Sequence, residues 1–135
     1  MCVVGWHAAG RDASAAACGR MCASDHLVVM AAVIVLVTYP TDQDPLPLAR
    51  TLVDEQLVAC VNVLPPMQSV YRWEGKIEQA AEHQLVMKTT HERVKALEAR
   101  LVDLHPYDVP EVLVLPISGG GEAYLNWLAA SVRDP

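Results

Sequence analysis

Between residues 27 and 133 the apolar and polar positions follow two rhythms, one of period two and one near 3.6, and their succession predicts the elements. Ala32 to Tyr39 is a Val-rich run closed by Pro40, the pattern of a strand covered on both faces. Asp42 or Asp44 then offers a helix N-cap, and Pro45 and Pro47 are tolerated only in a first turn. Leu48, Leu52, Val53 and Leu57 mark the apolar face that follows. Val58 to Leu64 is a second apolar run, broken at Pro65-Pro66. Gln68 to Trp73 resumes the extended pattern up to Glu74-Gly75, a pair suited to a hairpin turn, and Lys76 to Thr89 returns from it. Thr90 is placed to cap a second helix, whose Val94, Leu97, Leu101 and Leu104 form the clearest amphipathic stripe of the chain. That helix should end at His105, because a residue before proline is pushed out of the α region. Glu111 to Ile117 reads as the last main strand, Gly119-Gly120-Gly121 as a loop, and Leu125, Leu128 and Val132 as the face of a short closing helix.

The order βαβ, βαβ, α predicts an α+β chain: a ferredoxin-like βαββαβ sandwich with an extended β-hairpin and a C-terminal helix. The right-handed crossover rule puts both main helices on one face of an antiparallel sheet. A hairpin arm of about fifteen residues exceeds the usual strand, so part of it projects beyond the helix layer and leaves Tyr71, Trp73 and Ile77 in need of cover. Self-association would supply that cover. Residues 1–26 sustain neither period and read as a disordered N-terminal extension, which leaves 27–135 as the single folded domain.

Composition narrows the function. The chain is 53% hydrophobic but only 5% aromatic, with no Phe, so its core is built from Val, Leu, Ile and Ala. A net charge of -6 with no Lys/Arg cluster argues against a nucleic-acid partner. Leu27 to Val37 is the most apolar stretch, yet it is shorter than the ~20 residues that span a bilayer, and no cleavage-site pattern follows it. No membrane partner and a cytoplasmic location are therefore expected. The Ala, Ser and Arg content of residues 1–26 has some likeness to an organelle transit peptide, against which Asp12 and Asp25 count. Of the four cysteines only Cys60 lies in the patterned region, so no disulfide framework is indicated.

Several side chains suggest chemistry. Cys18, Cys22 and His26 would share one face of a helix, but Gly19 disfavours that helix and a fourth ligand is missing. Cys60 reads as a small buried thiol, His83 and His91 as surface residues, and the triple glycine before Glu122 as a link without the Lys-Ser/Thr of a phosphate loop. The segment HPYDVPE, His105 to Glu111, is the densest in chemistry. Its prolines fix the path from helix to strand, and Tyr107 can pack its ring. The imidazole of His105 is the one candidate metal ligand. If the segment is mainly a geometric device, Pro106→Ala should cost more than His105→Ala. An enzyme using His105, Tyr107 and Lys88 as acid-base groups is the rival reading.

Six blocks then carry a resemblance: VTYP at 37–40, LVDEQLVACVNVLP at 52–65, SVYRWEGKIE at 69–78, LVMKTT at 85–90, HPYDVPE at 105–111 and YLNWL at 124–128. In order and without large gaps over about residues 30 to 133, they resemble the CutA family of divalent-cation tolerance proteins. The resemblance implies a homotrimer of ferredoxin-like subunits, similar to PII signalling proteins, with intersubunit sheet pairing. It implies a role in tolerance of copper and other divalent cations, no catalysis and no required cofactor. Copper ligands proposed in that family are a Cys just before T-x-P and a His-His pair before Pro-Tyr. Here Val37 and Leu104 occupy two of those places and His105 keeps the third, so the resemblance implies at most weak or trimer-shared copper binding at His105. A PII-like small-molecule sensor and a trimeric scaffold for another protein are the alternatives.

Overall fold

The computed structural model describes residues 31–132. Strand β1 (Ala32–Pro40) shows why a Val-rich run becomes a central strand. Val33, Val35, Val37 and Tyr39 point to one face and are buried there, while Ile34, Leu36 and Thr38 on the other face are half-buried. Helix α1 (Leu46–Asp54) begins at Pro45, with Pro47 in the first turn where no amide partner is lost. Asp44 Oδ1 accepts the Leu46 amide at 3.0 Å, so the acidic side chain serves from one residue before the cap. The helix stops at Gln56, whose φ of 56° turns the chain so that the Leu57 amide bonds back to the Leu52 carbonyl at 3.0 Å.

The return leg is split. Strand β2 (Cys60–Val63) pairs with Leu85–Lys88, and strand β3 (Met67–Trp73) pairs with Lys76–Glu82, both along strand β4 (Lys76–Thr90). Between them Pro65 and Pro66 lack amide donors, so one hairpin arm is a broken edge rather than a continuous strand. The hairpin turns at Glu74 and Gly75, both left-handed at φ 49° and 79°, the two-residue turn that matches strand twist. Helix α2 (His91–Leu104) buries Leu97 and Leu101 completely. It closes on His105, extended at φ -76° and ψ 139° ahead of Pro106. Strand β5 (Leu113–Pro116) is shorter than the Glu111 to Ile117 run anticipated, its ladder with β1 starting only at Leu113 opposite Leu36, after residues 106–111 have crossed the sheet as a loop. Helix α3 (Glu122–Ser131) closes the domain.

The sheet runs β2, β4, β1, β5 with β3 extending the β2 edge, and every pairing is antiparallel. This is the expected ferredoxin-like order. Leu48 and Leu52 of α1 and Leu97 and Leu101 of α2 share one cluster with Val33, Val35, Val37, Leu85 and Met87, so both main helices lie on the same face. Thr89, buried in that layer, satisfies its hydroxyl on the Leu57 carbonyl at 2.8 Å. A second cluster sets Leu125, Leu128 and Val132 against Ala32 and Ala59, so α3 covers one end of the opposite face. Among the described residues no helix is long and apolar enough to cross a membrane. The extension at 1–26, with Cys18, Cys22 and His26, lies outside the described residues.

Candidate binding cleft beside the hairpin

The far end of that opposite face is not covered by α3. Antiparallel pairing puts Glu82 beside Met67 and Gln84 beside Thr38, and alternation along β3 adds Ser69, Tyr71 and Trp73 to the same side. The chain leaving α2 then crosses this surface as residues 106–111. Between loop and strands lies a cleft of about 700 Å³, lined by Thr38, Met67, Ser69, Tyr71, Trp73, Glu82, Gln84 and 106–111.

Three interactions hold the loop. His105 Nδ1 accepts the Tyr107 amide at 3.0 Å, so Nε2 carries the proton and donates to the Thr38 carbonyl at 2.7 Å. The ring also meets Tyr39 edge-on, with centroids 5.3 Å apart at 71°. Next, the Tyr107 hydroxyl donates to Glu82 Oε1 at 2.9 Å. Burial first and this bond second push the Tyr107 phenol up to about 12. Finally, the Gln84 amide donates to both the Val37 carbonyl and Glu111 Oε2, each at 3.1 Å, tying the end of the loop to the sheet. Beneath them Tyr39 is also raised, by burial and then by the charges of Asp44 and Asp42.

This geometry bears on metal binding. With Nδ1 occupied by an amide and Nε2 protonated, His105 has no lone pair free for a cation, and its side chain is only 7% exposed. The two positions that would complete the copper set are hydrocarbon: Val37 is fully buried under the helices and Leu104 packs against the same cluster. Among the described residues no group of three or more His, Cys, Asp or Glu side chains is disposed to hold a metal ion. The residues present at His105 therefore do not fit a copper ion.

Other candidates disperse. Lys88 lies four residues along β4 from Gln84, over the Tyr124 ring at 5.9 Å from its centroid, so it does not join His105 and Tyr107 in an acid-base set. Cys60 is half-buried rather than a core thiol. Its Sγ lies 3.9 Å from Asn62 Oδ1 and 4.0 Å from Lys88 Nζ. His83 is partly covered because its Nδ1–H donates to the Leu64 carbonyl at 2.8 Å, pinning the break between β2 and β3, whereas His91 is exposed. Gly119–Gly121 lead openly into α3. The cleft residues missed in the sequence are Glu82 and Gln84, while Glu111 was marked only as part of the HPYDVPE segment. Period-two alternation of β4 could have put the first two on one face, but not opposite the 105–111 loop.

Comparison with known proteins agrees with this architecture. The CutA1 divalent ion tolerance protein family matches residues 33–131. The divalent-cation tolerance protein CutA of Pectobacterium atrosepticum is 48% identical over 102 residues, covering 76% of this chain and 93% of that protein. Protein CutA 1, chloroplastic, of Oryza sativa is 40% identical over 131 residues, covering 97% and 73%. Among solved structures, the divalent cation tolerance protein of Thermus thermophilus superposes with a TM-score of 0.73 at 40% identity, over 76% of this chain and 99% of that one. CutA1 from Oryza sativa gives 0.75 at 42% identity, over 80% and 99%. A match through nearly the whole folded region, in sequence and in fold alike, makes this chain a member of the CutA1 divalent ion tolerance family.

Proposed function

We propose that the chain acts in divalent-cation tolerance as a homotrimer, a binding or signalling module and not an enzyme. The observation that carries this is the apolar surface the lone chain leaves in water. Val70 and Ile77, at 68% and 71% exposure, share one face of the hairpin, while Leu113, Val114 and Leu115 line the opposite sheet edge. Among the described residues both edges of the sheet, β3 and β5, have one side without a strand partner, so copies can add strand to strand. The acid-base reading is disfavoured because Lys88 lies away from His105 and Tyr107, and burial with the Glu82 bond raises the Tyr107 phenol to about 12, against a role as a general base.

Sedimentation should give a species near three times 14.7 kDa, and a stable monomer at micromolar concentration would sink the reading. Deleting residues 1–26 should leave that assembly intact. For metal, we propose that His105 is a structural strut and that any copper or other divalent-cation contact in the folded domain is weak. Copper titration of the truncated protein and of its His105→Ala variant should give the same isotherm. We place the protein in the cytoplasm. A relative named chloroplastic that spans 97% of this chain makes a plastid the competing outcome of cell fractionation. The cleft supports a second reading, a PII-like small-molecule sensor, since its volume lies in the ~300–1,000 Å³ range of ligand pockets.

A further inference from the structure

We propose that the cleft beside the hairpin binds a small organic cation, an ammonium or guanidinium attached to an apolar body. The proposal rests on the small-molecule reading above and names the ligand chemistry of that site. Three rings line the cleft, Tyr71 and Trp73 from β3 and Tyr107 from the loop, together with three carboxylates, Glu82, Asp108 and Glu111. Among the described residues no Lys or Arg lines it. Ring faces and carboxylates without a balancing cation are the surroundings that hold an alkylammonium or guanidinium, through cation–π attraction and charge-assisted hydrogen bonds.

Glu82 supplies the second, independent observation. It is only 6% exposed, yet among the described residues its partner is a neutral phenol and no cationic side chain pairs with it. Tyr107 occupies Oε1 alone, so the carboxylate keeps acceptor capacity toward the cleft that an ammonium or guanidinium can take up through a charge-assisted hydrogen bond. A bare divalent ion fits less well. It takes oxygens at about 2.0–2.6 Å converging on one point. Here Glu82 is held by Tyr107, Glu111 by Gln84, and Asp108 stands exposed at the rim, so no three ligands converge. A metal would also leave the ring walls of a cleft of about 700 Å³ hydrated. The overall charge of -6 raises the local concentration of cations around the opening.

The test uses the assembled full-length protein and two probes of one shape, phenethylammonium chloride and neutral 2-phenylethanol, titrated by calorimetry and by NMR. The ammonium probe should bind at least about tenfold more tightly than the alcohol. Glu82→Gln should remove about that factor for the ammonium probe and leave the alcohol unchanged. Asp108→Asn, at an exposed position that does not endanger folding, should give a smaller loss in the same direction, and it carries the test if Glu82→Gln fails to fold. Equal affinity for the two probes overturns the proposal. So does ammonium binding that neither variant weakens. No binding up to about 10 mM in the assembled protein overturns it as well, since the cleft would then be filled by a neighbouring copy. Sedimentation of the same samples reports assembly separately, so a failed trimer and a failed ligand site are told apart.

Discussion

Replacing His105 by alanine tests whether the imidazole is a strut. The substitution removes two hydrogen bonds and leaves the Thr38 carbonyl and the Tyr107 amide without partners. A buried polar group left unpaired costs about 1–3 kcal/mol, and both groups belong to half-buried residues, so the low end applies to each. The lost edge-on contact with Tyr39 adds about 0.5–1.5 kcal/mol. Together these give a destabilisation of ~3 kcal/mol. Pro106→Ala, by contrast, mainly returns conformational freedom to the unfolded chain and should cost about 0.4–1 kcal/mol. The structure thus reverses the order expected from the segment's composition, in which the prolines outweighed the imidazole.

Urea unfolding at fixed protein concentration measures both variants, with the midpoint expected to fall and the slope to stay constant. A chelator makes the comparison sharper. A metal ligand would stabilise the wild type in proportion to the logarithm of free metal, so stripping metal would bring wild type down to His105→Ala. The strut account expects the chelator to change nothing. A His105→Ala cost below about 1 kcal/mol, or one smaller than that of Pro106→Ala, refutes the reasoning.

Three further outcomes are expected. The Tyr107 phenol, raised from 10.0 to about 12, contributes stability that is fully present below pH 10 and lost as pH rises through about 12. Unfolding followed from pH 9 upward should therefore show an alkaline fall that Tyr107→Phe reduces, the remainder belonging to the Tyr39 phenol, which is also raised; an unchanged fall in that variant assigns it to another group. Ile77→Asp, at an exposed site on the hairpin face proposed to meet another copy, should dissociate the assembly by sedimentation while the circular dichroism spectrum persists; an intact trimer places the interface elsewhere. Gly75→Ala should cost roughly 1–2 kcal/mol in urea, because its φ of 79° is left-handed and nothing lies within 4 Å of the added carbon; a neutral result means the turn relaxes to another type.

The elements were legible wherever burial is decided by local alternation. Leu97 and Leu101 against their polar neighbours follow from periodicity alone, whereas the unbroken apolar run of β1 read as covered on both faces and did not show that Val33, Val35 and Val37 would be buried while Ile34 and Leu36 stay half-buried. Sheet order followed because the crossover rule leaves few ways to arrange two βαβ units. What local pattern does not contain is how an element ends when a distant group decides it. The break between β2 and β3 is visible in Pro65-Pro66, yet its stability depends on His83, 19 residues from the Leu64 carbonyl it holds. Cys60 was expected in the core because its neighbours are apolar, but the pleat turns it to the face that α3 only partly covers. Val53 fitted the helical stripe of α1 and is 43% exposed, because the face the helix buries runs through Leu48, Ala49 and Leu52.

The site was legible as a concentration of unusual residues and not as a geometry. Glu82 meets Tyr107 across 25 residues and His105 meets Thr38 across 67, distances over which no spacing rule operates. In a sequence an imidazole counts as a ligand because its lone pair is unassigned. In this fold the next residue but one takes that lone pair, and Pro106 is the link that brings the Tyr107 amide back over the ring. His105 and Pro106 then act as one device, which a double-mutant cycle can measure. Part of the cost of Pro106→Ala should arise because the loosened turn no longer aims the Tyr107 amide at Nδ1, and that part vanishes once the ring is gone. Pro106→Ala should therefore cost less in a His105→Ala background than in wild type, the interaction energy being the smaller part of the about 0.4–1 kcal/mol that the single substitution costs. Strict additivity would mean that the proline and the imidazole do separate jobs, and that the Tyr107 amide finds the ring without help from the chain between them.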